Sequence, residues 1–392
     1  MRKKLCGLAL IAALPLSIQA CAPGPAAVSE VERVAACTVP DEHIDAALAG
    51  KIDALVDDAA LRGFAGGVAV MRDGIVVYDR VAGAASLEGA PPVTDATLFH
   101  VASITKYFTA ALVLKAAEEG RLSVSDSVGV LAPGTRIAAR GVTIQQLLMH
   151  ESGLGSSYVA EAETDADAAL AAIDQAPFDE ARIGAFRYSN DGYDLLSVLI
   201  ERAYGAPFEQ MLKEKLFDAA CLDHASHWGV VDVADANIVS QPLEQIDAGL
   251  RKRNYGMTGS AGALITARDL ARYQAAVARG DVLSMELVSE LFAPRGEMSL
   301  GHATYGAFLS ERAPAGRVLN ARGYEDWGDN AILNHYLDHD VIVAVVTSRG
   351  PAEDSGAPAF RNEFSDAIEA LLFGRASARD HSDNDIMVQI VV

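Results

Sequence analysis

Cysteine is scarce in this chain, with four residues in 392. That is too few for a disulfide-dense scaffold, and no Cys/His spacing suits a structural zinc site. His224 and His227 lie three apart without a second ligand pair nearby. Positive charge is also short: 32 Lys and Arg stand against 53 Asp and Glu, a formal net charge of −21. Such a balance argues against a nucleic-acid partner and suits a self-repelling, soluble surface. The Arg251-Lys252-Arg253 cluster is the main basic exception and reads as a solvated face. Long hydrophobic runs are missing beyond Leu8–Ile18, which is short for a bilayer span. No solenoid-length repeat occurs.

What is present is a chain long enough, at 392 residues and 51% hydrophobic, to bury a substantial core in two lobes. Its first residues read as a targeting segment. Met1-Arg-Lys-Lys4 forms a charged head, an apolar run follows, and Ile18-Gln19-Ala20-Cys21 closes it. A small residue before cysteine resembles a bacterial lipoprotein cleavage site, although Gln19 is unusual there; ordinary secretion is the alternative. Residues 1–21 are therefore expected to be a leader, with Cys21 lipidated and the body periplasmic or on the cell surface, anchored by lipid. Residues 22–42, beginning Ala22-Pro-Gly-Pro, read as a tether. Export would leave Cys37 and Cys221 as an even pair in an oxidising compartment, either bonded or as two buried thiols.

Lysine is rare, which makes one spacing stand out. Ser103-Ile-Thr-Lys106 is the only S-x-x-K, although 24 Ser and 8 Lys would give about 0.5 by chance. On a helix, residues three apart share a face, so a lysine amine with a lowered pKa can take the serine proton. The run Ala110, Ala111, Val113, Leu114 and Ala117 supplies the helix. Ser103 near its start would sit among unpaired N–H groups suited to an oxyanion. An ordinary N-cap is the plainer reading. A second motif, Tyr188-Ser-Asn190, follows at a plausible distance. A phenol next to a lysine can serve as general base. Asn190 could donate to a substrate carbonyl while accepting from the lysine. Ser-Asn-Asp-Gly is equally good turn chemistry before a helix.

With Ser103, Lys106, Tyr188 and Asn190 in this order, the chain resembles the serine β-lactamase and penicillin-binding-protein superfamily. It looks most like the class C-type branch with its esterases and D-aminopeptidases. Gly63–Val77 resembles the family's opening strand pair, and Val142–Leu154 its "LLTHTSGL" segment. Gly192–Glu201 and Ser260–Arg272 resemble two further segments. The likeness covers roughly residues 45 to 374. It implies an α/β (α+β) fold: an antiparallel sheet flanked by N- and C-terminal helices, with a mostly helical lobe (about 100–300) inserted. That gives a domain over 43–374 and a tail, 375–392, of no evident role. His150 is expected to support the core.

The family's third motif, K-T-G or H-x-G on a strand lining the site, departs here. Counting back from the hairpin of Asn330–Tyr336 and Val341–Thr347 places Arg322-Gly323-Tyr324 at the motif, with Tyr324 in the glycine position. A tyrosine there would obstruct a ligand. Trp327-Gly328-Asp329 is an alternative register. The resemblance implies acyl-enzyme chemistry at Ser103 on a small-molecule acyl substrate without a cofactor. Ser103, Lys106 and Tyr188 would be catalytic, and Asn190, Arg322 and Tyr324 would contact substrate. Small esters are favoured. A D-amino-acid peptidase, carboxypeptidase or β-lactamase, and a silent binding protein on the same scaffold, are the other readings.

Overall fold

The computed structural model describes residues 43–86, 91–242, 251–299, 301–350 and 360–374. Eleven strands among these residues form two sheets. The large one is antiparallel, in the order β2-β1-β11-β10-β9-β8-β7-β6. Its members are β1 (Gly66–Arg72), β2 (Ile75–Ala82), β6 (Glu297–Met298), β7 (Gly301–Ala303), β8 (Phe308–Arg312), β9 (Gly316–Tyr324), β10 (Asn330–Tyr336) and β11 (Val341–Thr347). A small sheet joins β3 (Phe99–His100), β5 (Ala263–Ile265) and β4 (Ala225–His227). The helices are α1 (Ala46–Leu61), α2 (Thr105–Glu118), α3 (Arg136–Ala139), α4 (Ile144–Leu148), α5 (Ala166–Gln175), α6 (Asn190–Tyr204), α7 (Phe208–Leu212), α8 (Ala267–Arg279), α9 (Met285–Phe292) and α10 (Phe360–Phe373).

The sheet is built from the two ends of the chain, because β1 pairs with β11 across the register Gly66↔Thr347 to Arg72↔Val341. Asp73 and Gly74 both have positive φ, as a two-residue hairpin turn between right-twisted strands requires. β10 and β11 are buried along their whole length, because helices cover both faces of the sheet, and their sequences read as near-continuous apolar runs. Side chains alternate between two cores. Val68, Val70, Val318, Ile332, Val343 and Val345 pack under α1 and α10. Ala69, Leu319, Ala321, Leu333, Ala344 and Val346 pack against the inserted helices. No helix among the described residues is long and apolar enough to cross a membrane.

Two inserted helices set up the site. In α2, Thr105 to Leu114 are all buried, so the helix is surrounded by protein on every side. In α6, Ser189 is the N-cap: its Oγ accepts from Gly192 N and donates to Gly155 O, each at 2.8 Å. The turn chemistry of Ser-Asn-Asp-Gly is thus real, and it fixes Tyr188 immediately before the helix.

Candidate active site

Ser103 lies on a 3₁₀ turn, Ala102–Ile104, that runs directly into α2. Ala102 has φ +46°, a left-handed value that costs a non-glycine residue about 1–3 kcal/mol and marks a strained turn. β9 lies against this turn through Gly323. A Cβ there would sit 1.9 Å from the Val101 carbonyl oxygen and 2.8 Å from its carbon. Only glycine permits the approach.

His100 pins the same region from below. Its Nε2 is 2.7 Å from Ala261 O and its Nδ1 is 3.0 Å from Asp329 Oδ2. A carbonyl can only accept, so Nε2 donates. Asp329 Oδ2 also accepts from Trp327 Nε1 at 2.8 Å. Two donating nitrogens make an imidazolium. Burial works against this charge, but the hydrogen bond and charge of Asp329 outweigh it and raise the His100 pKa. A buried ion pair therefore ties the strand before Ser103 to the loop between β9 and β10.

One turn on from Ser103, at the start of α2, Lys106 Nζ donates to Ser103 Oγ at 3.0 Å and to Ser260 O at 2.9 Å. Tyr188 OH donates to Ser103 Oγ at 2.9 Å. Serine, lysine and tyrosine therefore converge on one oxygen, as their spacing suggested. Lys106 is 2% exposed; burial lowers its pKa to about 7, against the opposing charges of Asp194 and Glu325. Tyr188 moves the other way. Burial raises its phenol, the Ser103 hydrogen bond opposes this, and Glu325 and Asp194 raise it further. Its hydroxyl does not meet the lysine; Lys106 Nζ instead lies over its ring, 4.8 Å from the centroid. The expectation of a phenolate base is corrected accordingly: the lysine is the group that gives up its proton near neutral pH.

Asn190 is also placed differently from expectation. Its Nδ2 donates to Tyr158 OH at 2.6 Å, and its Oδ1 is buried with no hydrogen-bond partner among the described residues. The second lysine acceptor is Ser260 O, from a segment whose family likeness was legible but whose role was not. Asp194, one turn along α6, accepts Gly259 N and Ser260 N on Oδ1 at 3.1 and 3.0 Å. Burial raises its pKa while Lys106 opposes the shift. His150, at φ +58°, accepts Ser189 N–H on Nδ1 at 3.0 Å and stacks on Tyr188 at 4.5 Å between centroids. Burial, then the Lys106 charge, lowers its pKa to about 3. It is a neutral support beneath Tyr188.

The third motif needs a correction of register. Gly323 is the close-approach glycine, so the residue standing two before it is Ala321, and Tyr324 follows the glycine. Ala321 packs on the inserted-lobe side of the sheet. Arg322 borders the cleft, but its Nε donates to Asn320 Oδ1 at 2.6 Å. From there the bonds run on through Asn334 to Ser365 of α10. The Arg361 guanidinium lies 5.8 Å from the Tyr324 ring centroid. Strand alternation thus turns both side chains toward α10, and Tyr324 does not block the cleft. Trp327-Gly328-Asp329 lies in the loop that His100 holds. The cleft itself, about 330 Å³, is lined by Ser103, Lys106, His150, Tyr188, Arg322 and the segment 303–308. Cys221 is disulfide-bonded. Cys37 and Cys21 lie outside the described residues.

Glu325, missed in the sequence, sits one residue past Tyr324. It is partly buried, and its pKa is pushed up to about 7 by burial, with His100 and Lys106 opposing and Asp329 adding to the rise.

A family model described as Beta-lactamase matches residues 48–367. Penicillin-binding protein 4* of Bacillus subtilis is 27% identical over 348 residues, covering 80% of this chain and 73% of that protein. Esterase EstB of Burkholderia gladioli is 34% identical over 185 residues, 41% of this chain and 47% of the esterase. The structure of D-amino acid amidase from Ochrobactrum anthropi SV3 superposes with a TM-score of 0.71 at 19% identity. It covers 83% of this chain and 98% of that one, a likeness of fold. The model match spans most of the chain and includes the converging serine, lysine and tyrosine, and on that ground the chain belongs to the β-lactamase family of serine hydrolases.

Proposed function

We propose that this protein hydrolyses small acyl esters through an acyl-enzyme on Ser103. The observation that carries the reading is the double engagement of Ser103 Oγ, by Lys106 at 3.0 Å and Tyr188 at 2.9 Å. Neutral Lys106 keeps an N–H on Ser260 O and turns its lone pair to the Ser103 hydroxyl. The proton passes to Nζ as Oγ bonds to the ester carbonyl carbon. The carbonyl oxygen takes the negative charge between two backbone donors, Ser103 N–H and Tyr324 N–H. The direction of the second follows from alternation: Glu325 N–H donates to Asp329 O on the β10 side, so Tyr324 N–H points to the side of β9 away from β10. Collapse of the intermediate breaks the bond to the alcohol, which leaves with the proton returned from Lys106. Water then attacks the acyl-enzyme by the same path and frees Ser103.

The preference for esters over β-lactams or peptide C-termini rests on charge. The latter carry a carboxylate, and the strand beside Ser103 offers Ala321 where a cation would help. The nearby carboxyl of Glu325 adds repulsion where it is ionised. Among the described residues, Arg322 is the one strand cation bordering the cleft, and its Nε is engaged by Asn320. Kinetics on a p-nitrophenyl ester, nitrocefin and a D-Ala-D-Ala peptide test the order, and a higher kcat/KM for either of the last two overturns it.

The same reading includes export. Residues 1–21 have the composition of a leader, and Cys21 is the proposed lipid attachment point of a periplasmic or surface protein. An intact mass with diacylglycerol on Cys21 supports it; an unmodified N-terminus elsewhere contradicts it.

A further inference from the structure

Beside the nucleophile, outside the cavity lined by residues 303–308, stands a carboxylate that the acyl-transfer chemistry does not use. Glu325 directly follows β9, two residues past the Gly323 that packs on the Ser103 turn, and its charge acts on Lys106, Tyr188, Tyr158 and His100. It does not line the cavity bounded by residues 303–308. Alternation along β9 gives it the same face as Ala321 and Gly323, the face that packs on the Ser103 turn. Its carboxylate accepts no hydrogen bond from any described residue, although cations are near. Both His100 nitrogens are committed, to Asp329 and Ala261. Lys106 is held by Ser103 and Ser260. A partly buried carboxylate that accepts no hydrogen bond is desolvated with only the more distant charges of His100 and Lys106 to offset it.

Two more acceptors belong to the hydrogen-bonded pair of Asn190 and Tyr158. Asn190 Oδ1 belongs to a residue 8% exposed and has no partner among the described residues. Tyr158 OH receives the Asn190 amide and keeps acceptor capacity. Tyr158 is 45% exposed, at φ +52°, so this side of the cleft is open to a ligand. Asp329 and Asp326 add negative charge around Glu325, and His100 is the cation that offsets them. Acceptors outnumber donors, and negative charge outnumbers positive.

We infer that Glu325 is a specificity-determining residue that receives a cationic group of the acyl substrate, a protonated amine, with Tyr158 and Asn190 as flanking acceptors. An ammonium supplies three donors and no acceptor, which matches this set. The inference rests on the acyl-hydrolase reading and names the substrate class for that site.

The test compares p-nitrophenyl 6-aminohexanoate, its neutral counterpart p-nitrophenyl heptanoate and the anionic mono-p-nitrophenyl pimelate, whose chains are too long for rapid self-cleavage, with the uncatalysed rate of each subtracted. Wild-type protein and Glu325→Gln and Glu325→Asp variants are assayed at pH 8. The readout is the ratio of kcat/KM between esters. Glu325→Gln also removes a charge that raises the Lys106 pKa, so absolute rates shift for every ester while the ratio isolates recognition. Wild type is expected to favour the cationic over the neutral ester by about tenfold, the order of one charge pair in a partly screened site. Glu325→Gln should bring that ratio near one and improve the relative rate on the anionic ester; Glu325→Asp should restore part of the preference. Hydrolysis of the neutral ester with a wild-type ratio near one, or a ratio unchanged in Glu325→Gln, overturns the assignment of Glu325 alone. Failure of wild type to hydrolyse any of the three overturns the acyl-hydrolase reading and this inference with it.

Discussion

Gly323→Ala is the most demanding perturbation this structure offers, because one methyl group meets backbone on a strained turn. The new Cβ would lie 1.9 Å from Val101 O, 2.8 Å from Val101 C and 3.2 Å from Ala102 Cβ. An ordinary carbon–oxygen contact is about 3.3 Å, so strand and turn must separate by roughly 1.4 Å. Neither can yield easily. β9 is paired to β10 from Val318↔Tyr336 to Tyr324↔Asn330, and His100–Asp329 clamps the turn to the neighbouring loop. Overpacking of this kind costs about 1–3 kcal/mol of stability. The catalytic cost should be larger, because the separation opens the space between Ser103 N–H and Tyr324 N–H. Displacements near 1 Å can cost about 10²-fold in rate, and loss of one oxyanion donor about 10²–10³-fold. The assay is kcat/KM on a neutral p-nitrophenyl ester beside a thermal melt. Gly50→Ala serves as the control. It sits within α1 with nothing inside 4 Å of its Cβ and no positive φ, so it should stabilise by about 0.5–1 kcal/mol and leave the rate alone. A Gly323→Ala protein that is folded and as active as wild type would refute the packing argument.

Ser103→Ala and Lys106→Ala should each abolish ester hydrolysis, and the double variant should be no worse, because nucleophile and base act as a unit; steady-state rates on all three check it. The acid limb of kcat/KM should fall below a pH near 7, since burial lowers Lys106 to about there and only its neutral form can accept the Ser103 proton. A limb near the ordinary lysine value in a pH–rate profile would contradict this. Asp329→Ala should destabilise by about 3–5 kcal/mol in denaturant melts, because it strands the His100 imidazolium in a buried site. The His150 pKa is depressed to about 3, so its stabilising contribution is full above the unfolded value of about 6.5 and is lost as pH falls toward 3. Its contribution to the slope approaches about 1.4 kcal/mol per pH unit. His150→Asn, which suits the positive φ and keeps an acceptor for Ser189 N–H, should flatten that acid slope in melts at pH 4 to 7.

Much of this architecture was legible because it is written in local pattern. The hairpin of β10 and β11 follows from two apolar runs around a Leu-Asp-His-Asp turn. The lysine–serine contact follows from helical spacing, and Tyr188 from its place before an N-cap. What stayed hidden depends on which way a strand faces. The third motif was read one residue out of register because the sequence alone does not tell which residues of β9 look into the cleft, and a slip of one exchanges the two faces. Gly323 declares itself only when Val101 is seen against it. Asp194 and Ser260 escaped notice because their roles join segments far apart in sequence. Glu325 lay in an acidic stretch, Glu325-Asp-Trp-Gly-Asp329, that reads as loop chemistry; its exposure and neighbours, rather than its type, single it out.

The central claim is that Ser103 becomes the acylated residue. Labelling with a fluorophosphonate probe, followed by peptide mass spectrometry, tests it directly in wild type and in Ser103→Ala. The account predicts one adduct, on the peptide containing Ser103, and none in the variant. An adduct at another residue, or equal labelling of the folded Ser103→Ala protein, would contradict it.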